Sequence, residues 1–203
     1  MEGLYFYGFC WTVWIITTFL ANKNNHNRLP YACYILMIII FSPYTFTIEN
    51  YSVSYVAILI LFLCFFKIAL LPVKRKCYLL ISSLIIGIGF VAFQLFELFD
   101  PIWIIFKREW LLGGLLTYLT VLLQQKLIWR IITVVTGCIY GEFIFAMILH
   151  RYTFPYTIGS FVFLDVCSFT ITMLIGWSCI KSAIGYFENH IQTITRGSKK
   201  QLN

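Results

Sequence analysis

Seven apolar runs, residues 4–21, 29–48, 53–71, 77–99, 110–125, 131–149 and 161–180, fill most of the 203-residue chain and are parted by short polar turns. Backbone N–H and C=O groups find no water in hydrocarbon, so a spanning segment must satisfy them internally as a helix or within a closed barrel. About 20 continuous apolar residues make a spanning helix, whereas barrel strands alternate over about ten. The runs here are continuous. With 61% hydrophobic and only 11% charged residues, the chain cannot clothe a water-facing surface. It reads as an all-α polytopic transmembrane helix bundle of seven spans. The fifth run is short and ends in Gln124-Gln125-Lys126, which leaves a six-span version as the alternative.

The net charge of +7 would suggest nucleic acid in a soluble protein. Here the basic residues sit in the turns and set orientation. Twelve Lys and Arg fall on one side, among them Lys23, Lys67, Lys74, Arg75, Lys76 and Lys126, and three on the other, Lys107, Arg108 and Arg151. The positive-inside rule then puts the N-terminus outside and the C-terminus in the cytoplasm. Glu2 stands where a signal peptide would be basic, so no cleaved leader is expected.

Residues 1–180 form a single transmembrane domain and residues 181–203 a cytoplasmic tail. In the tail Ile184, Phe187, Ile191 and Ile194 recur at helical spacing, which predicts an amphipathic helix on the inner leaflet and a surface for a protein partner. Asp100 to Arg108 is too short to span and too apolar for a free loop. It is expected to lie at headgroup level with Trp103 and Trp110.

Polar and small residues recur on single faces of the later runs. Ser83, Gly87, Phe90, Gln94 and Glu97 share a face of the fourth, and Gly113, Thr117, Thr120 and Gln124 a face of the fifth. The sixth carries Thr133, Thr136, Gly137, Tyr140 and Gly141, including a GxxxG, and the seventh Asp165, Ser168, Thr172, Gly176 and Cys179. Small residues let helices approach, and hydroxyl and amide groups are expected to bond across the gap. The fourth to seventh helices are therefore the inner bundle, their seams converging, with the sixth central. The first joins through Gly3, Tyr7, Trp11, Trp14 and Thr18, while the second and third face lipid. Gly87, Gly113, Gly137, Gly141 and Gly176 are the packing glycines.

Glu142 and Asp165 are the residues hydrocarbon tolerates least, since a charge near the bilayer centre costs roughly 3 kcal/mol or more. Each lies on the order of 10 Å below the same membrane face, so antiparallel neighbours would hold them at similar depth, able to share a proton or a cation. With Gln94, Glu97, Tyr140, Ser168 and Thr172 they form the candidate ligand or ion site. The plainer reading is that each acid only hydrogen-bonds a neighbouring helix.

Motifs for chemistry are absent: there is no HExxH, no GxxxxGK[ST] and no GxSxG. Ser160 with His150 is a weak catalytic pair, and Asn50-Tyr51-Ser52 is a sequon almost at the membrane surface. Seven cysteines in or beside apolar runs, without CxxC spacing, read as small hydrophobes rather than disulfides or metal ligands. No cofactor or catalytic residue is assigned.

The opening Met1-Glu2-Gly3-Leu4-Tyr5-Phe6-Tyr7, with Trp11, Trp14-Ile15-Ile16 and Thr17-Thr18-Phe19 before a basic turn, resembles that of the YphA family of small bacterial membrane proteins, as do length and span number. The resemblance implies a bacterial plasma membrane and carries over no functional residue. Three readings follow: a non-enzymatic structural or partner-binding membrane protein, which is favoured; a small transporter or channel using Glu142 and Asp165; and an intramembrane enzyme.

Overall fold

The computed structural model describes residues 2–21, 28–48, 51–100, 107–152 and 154–201. The linker around Trp103 and the sequon asparagine lie outside them.

Seven α-helices and three short strands make up the described chain. In order they are α1 (Leu4–Ile15), continued as a π-helical turn over Ile16–Leu20, α2 (Arg28–Phe41), β1 (Thr45–Ile48), β2 (Tyr51–Ser54), α3 (Tyr55–Ala69), α4 (Val73–Phe99), α5 (Arg108–Leu123), α6 (Leu127–Arg151), β3 (Thr157–Ile158) and α7 (Phe161–Gln201). Three of them, α4, α6 and the Phe161–Glu188 part of α7, are long and apolar enough to cross a membrane. At about 1.5 Å per residue α4 and α6 reach about 40 Å, against about 30 Å of hydrocarbon. Helices α1, α2 and α3 are shorter, though as apolar.

The shortening of α2 and α3 corrects the expectation of an all-helical fold. Pro43 follows Ser42, and a proline bars the preceding residue from helix and cannot donate to one. Beyond it the sequence alternates β-branched and aromatic residues, the composition of a strand. Thr45 to Ile48 pairs antiparallel with Tyr51 to Ser54, Thr45 opposite Ser54 and Ile48 opposite Tyr51. β3 then adds parallel to β2, Ser52 beside Thr157. The strand order is β1-β2-β3, so β1 and β3 are the outer strands. The three strands gather at one end of the bundle, the sheet end.

At the opposite, basic end the turns pack together. The Arg75 guanidinium lies 5.3 Å from the Trp129 ring centroid, Tyr78 donates to the Leu123 carbonyl, and buried Arg130 donates from Nε to the Gln124 carbonyl at 2.7 Å. That last bond satisfies a carbonyl at the close of α5.

α6 is the central helix, buried along most of its length, and α4 is its closest partner. A Cβ added at Gly137 would lie 2.6 Å from the Ser83 carbonyl oxygen, one at Gly87 2.8 Å from the Gly137 oxygen, and one at Gly141 2.6 Å from Phe90 Cδ1. Only hydrogen fits. Across the other interface a Cβ at Gly113 on α5 would meet Phe169 of α7 at 2.7 Å. The seams thus meet in pairs, α4 with α6 and α5 with α7, rather than all on one axis.

Three expectations about these faces change. Gly176 is not a packing glycine, because a Cβ there meets nothing within 4 Å, and Thr172 and Cys179 on the same stripe are exposed. The stripe turns away from the core after Ser168, and the buried face of α7 continues through Thr170 and Leu174 instead. The seam threonines bond within their own helices, and it is the amides that reach across, Gln94 to Glu142 at 3.4 Å and Gln124 to the Ser82 hydroxyl at 3.5 Å. Thr120, Thr133, Thr136 and Thr170 each donate to the carbonyl four residues earlier in their own helix, which costs no helix separation. On α1 the buried residues are Phe6 and Cys10, whereas Trp11 is half exposed. Gly3 and Tyr7 of the expected face do meet α7, at Asp165 and at Phe161. α2 has no buried residue, in keeping with a peripheral position.

α7 runs unbroken to Gln201, 41 residues or about 62 Å, so the tail continues the last span without a separate turn.

Candidate functional site

Both buried acids lie near the sheet end, and each is met by a glycine in a left-handed conformation. Glu142, on α6 and 1% exposed, accepts from the Tyr156 hydroxyl at 2.7 Å and the Gly159 N–H at 3.2 Å. Gln94 Nε2 on α4 lies 3.4 Å from the same carboxylate. Burial, with the Glu142 carboxylate beside it, holds the Tyr156 phenol above its ordinary range, so the phenol is the donor in this pair.

Asp165, on α7 and 4% exposed, accepts from the Gly3 N–H at 2.7 Å and the Phe6 N–H at 2.8 Å. Gly3 is the N-cap of α1, so these donors are the N-cap and N3 amides. Helices commonly satisfy that pair with two side chains of their own. Here one carboxylate from another helix serves both, where the helix dipole also favours negative charge.

Among the described residues the two glycines with positive φ are Gly3 at 86° and Gly159 at 77°. Each presents its N–H to one of the acids. A Cβ at Gly159 would also lie 2.6 Å from Ala57 Cβ on α3. Gly159→Ala combines a left-handed alanine, about 1–2 kcal/mol, with a clash against a packed helix. We expect a loss of about 3 kcal/mol, read as a lower unfolding midpoint in detergent.

The two acids therefore have separate donor sets. Gln94 and Glu142 are brought together; Asp165 is tied to α1 instead. Glu97 pairs with Arg108 at 3.0 Å, closing α4 onto α5. Tyr140 lines a cavity of about 390 Å³ with Ile58, Ile139 and Phe143, and Ser168 lines a larger cleft between α1, α2, α3, α6 and α7. Thr172 is exposed and donates to the Ser168 carbonyl. Ser160 and His150 have different partners: the Ser160 hydroxyl faces the Phe163 N–H at 3.5 Å as a cap for α7, and the His150 ring lies 4.8 Å from that of Tyr51. Among the described residues no group of three or more His, Cys, Asp or Glu could hold a metal.

Sequence reasoning missed Tyr156, the Gly3 and Gly159 amides, and the burial of Arg130. Tyr156 and Gly159 stand in a polar turn with no periodicity to mark them.

Long apolar helices, a glycine-seamed central pair and acids hidden by intramolecular donors define a polytopic helical integral membrane protein. The chain belongs to the YphA-like integral membrane protein family, whose description matches residues 2–200. It is 30% identical over 180 residues to the "Uncharacterized protein YphA" of Bacillus subtilis (strain 168), covering 88% of each chain. No solved structure matches it.

Proposed function

We propose that this protein is a non-enzymatic structural or partner-binding protein of a bacterial plasma membrane, with seven crossings, the sheet end and N-terminus outside and the C-terminus in the cytoplasm. The observation that carries this reading is the use of both buried acids as internal fasteners. Glu142 ties α6 to the β3 turn and Asp165 ties α7 to the start of α1. The gathering of basic turns at the other end supports the orientation. The basic continuation of α7 past the bilayer is the partner surface, with Ile184 and Phe187 exposed on it.

One observation favours a second reading, a proton-binding site at Glu142. Gln94 Oε1 is buried with no hydrogen-bond partner, and a protonated Glu142 would supply the missing donor. The two readings separate in liposomes carrying an internal pH dye. The fastener reading expects wild type, Glu142→Gln and Asp165→Asn all to leak protons at the protein-free rate, with both variants less stable. Proton flux in wild type, lost in Glu142→Gln at unchanged stability, would establish the transport reading in its place.

A further inference from the structure

We propose that the cleft between α1, α2, α3, α6 and α7 binds one anionic phospholipid, its acyl chain between the helices and its phosphate at Lys67. The cleft measures about 550 Å³ and is lined almost wholly by apolar side chains. Its lining on α6 runs from Ile128 to Ile139, about 16 Å at the helical rise. One leaflet of a bilayer contributes about half of the 30 Å hydrocarbon, so the cleft is as long as one leaflet is deep. Tyr31, Tyr34 and Phe66 at its rim are exposed, so it opens to the surrounding hydrocarbon.

Water gains too little from such walls to fill them, since a buried water needs two or more polar partners. An acyl chain suits them and is the solvent at hand. Among the described residues the one charged side chain lining the cleft is Lys67, in the last turn of α3 at the basic end. Its side chain is exposed and long enough to place the ammonium at headgroup level. Arg28, at the start of α2, is engaged by the Thr17 and Thr18 carbonyls, whereas Lys67 lines the cleft itself and offers its ammonium to a phosphate. A zwitterionic headgroup would bring its own ammonium to the same place, so the charge selects an anionic lipid.

The test is native mass spectrometry of the full-length purified protein titrated with phosphatidylglycerol or phosphatidylcholine, with a diazirine-labelled phosphatidylglycerol in parallel. Wild type is expected to retain phosphatidylglycerol about fivefold better, the factor for one basic group near a headgroup. Lys67→Gln should lose that preference. Lys74→Gln, which removes a charge from the same end but outside the cleft, should keep it. Crosslinks should fall on peptides holding Cys64 and Ser168. Equal retention of the two lipids by wild type, an unchanged preference in Lys67→Gln, an equal loss in Lys74→Gln, or crosslinks confined to the outer faces of the bundle would each overturn the proposal.

Discussion

Gly137→Leu should part α4 from α6 and cost more than about 3 kcal/mol, the largest effect of any single substitution in the bundle. The first added carbon would already lie 2.6 Å from a backbone oxygen of α4 and 2.9 Å from the branched Ile86 side chain, and neither can rotate away. Lipid supplies no hydrophobic force to hold the helices together, so their association depends on contact that close approach alone provides. Gly137→Ala should cost about 1–3 kcal/mol by the same overlap. Gly176→Ala is the control: it meets open space and trades a poor helix former for the best one, so it should be neutral or stabilising by up to about 1 kcal/mol. Unfolding in mixed detergent micelles reads all three. If Gly137→Leu unfolds with the wild-type midpoint, the seam is not what joins these helices.

Asp165→Ala should be the second large loss, about 3 kcal/mol or more. It orphans two buried amides at the start of α1, each costing about 1–3 kcal/mol unmade, and removes the charge that the helix end favours. Asp165→Asn keeps one acceptor and turns its amide against the other donor, so about half the loss is expected. The damage should be local. Hydrogen exchange should rise at the Gly3 and Phe6 amides in both variants while α4 and α6 stay protected. Protection at α1 unchanged in Asp165→Ala would mean that the cap does not hold this helix in place.

The Gly87, Gly137 and Gly141 seam was legible in the sequence because small-residue spacing is a property of each helix alone, and two such stripes that must be buried find each other. Gly176 shares that spacing yet packs against nothing, since periodicity fixes a face but not where along the helix that face turns away from the core. The hairpin at residues 45–54 was hidden inside runs as apolar as a span. Pro43 and the β-branched alternation were the marks of it, and total hydropathy outweighed them.

The amino-acid sequence by itself determined the solvent, the helical character, the glycine seam and the presence of two acids that need partners, because composition and period act along one segment at a time. Only the tertiary structure decided which partners those are. Gly3 lies 162 residues from Asp165 and Gln94 lies 48 from Glu142, and no local pattern encodes a backbone amide. Whether a buried carboxylate is a fastener or a binding site rests on where other parts of the chain bring their donors, and that is set by packing.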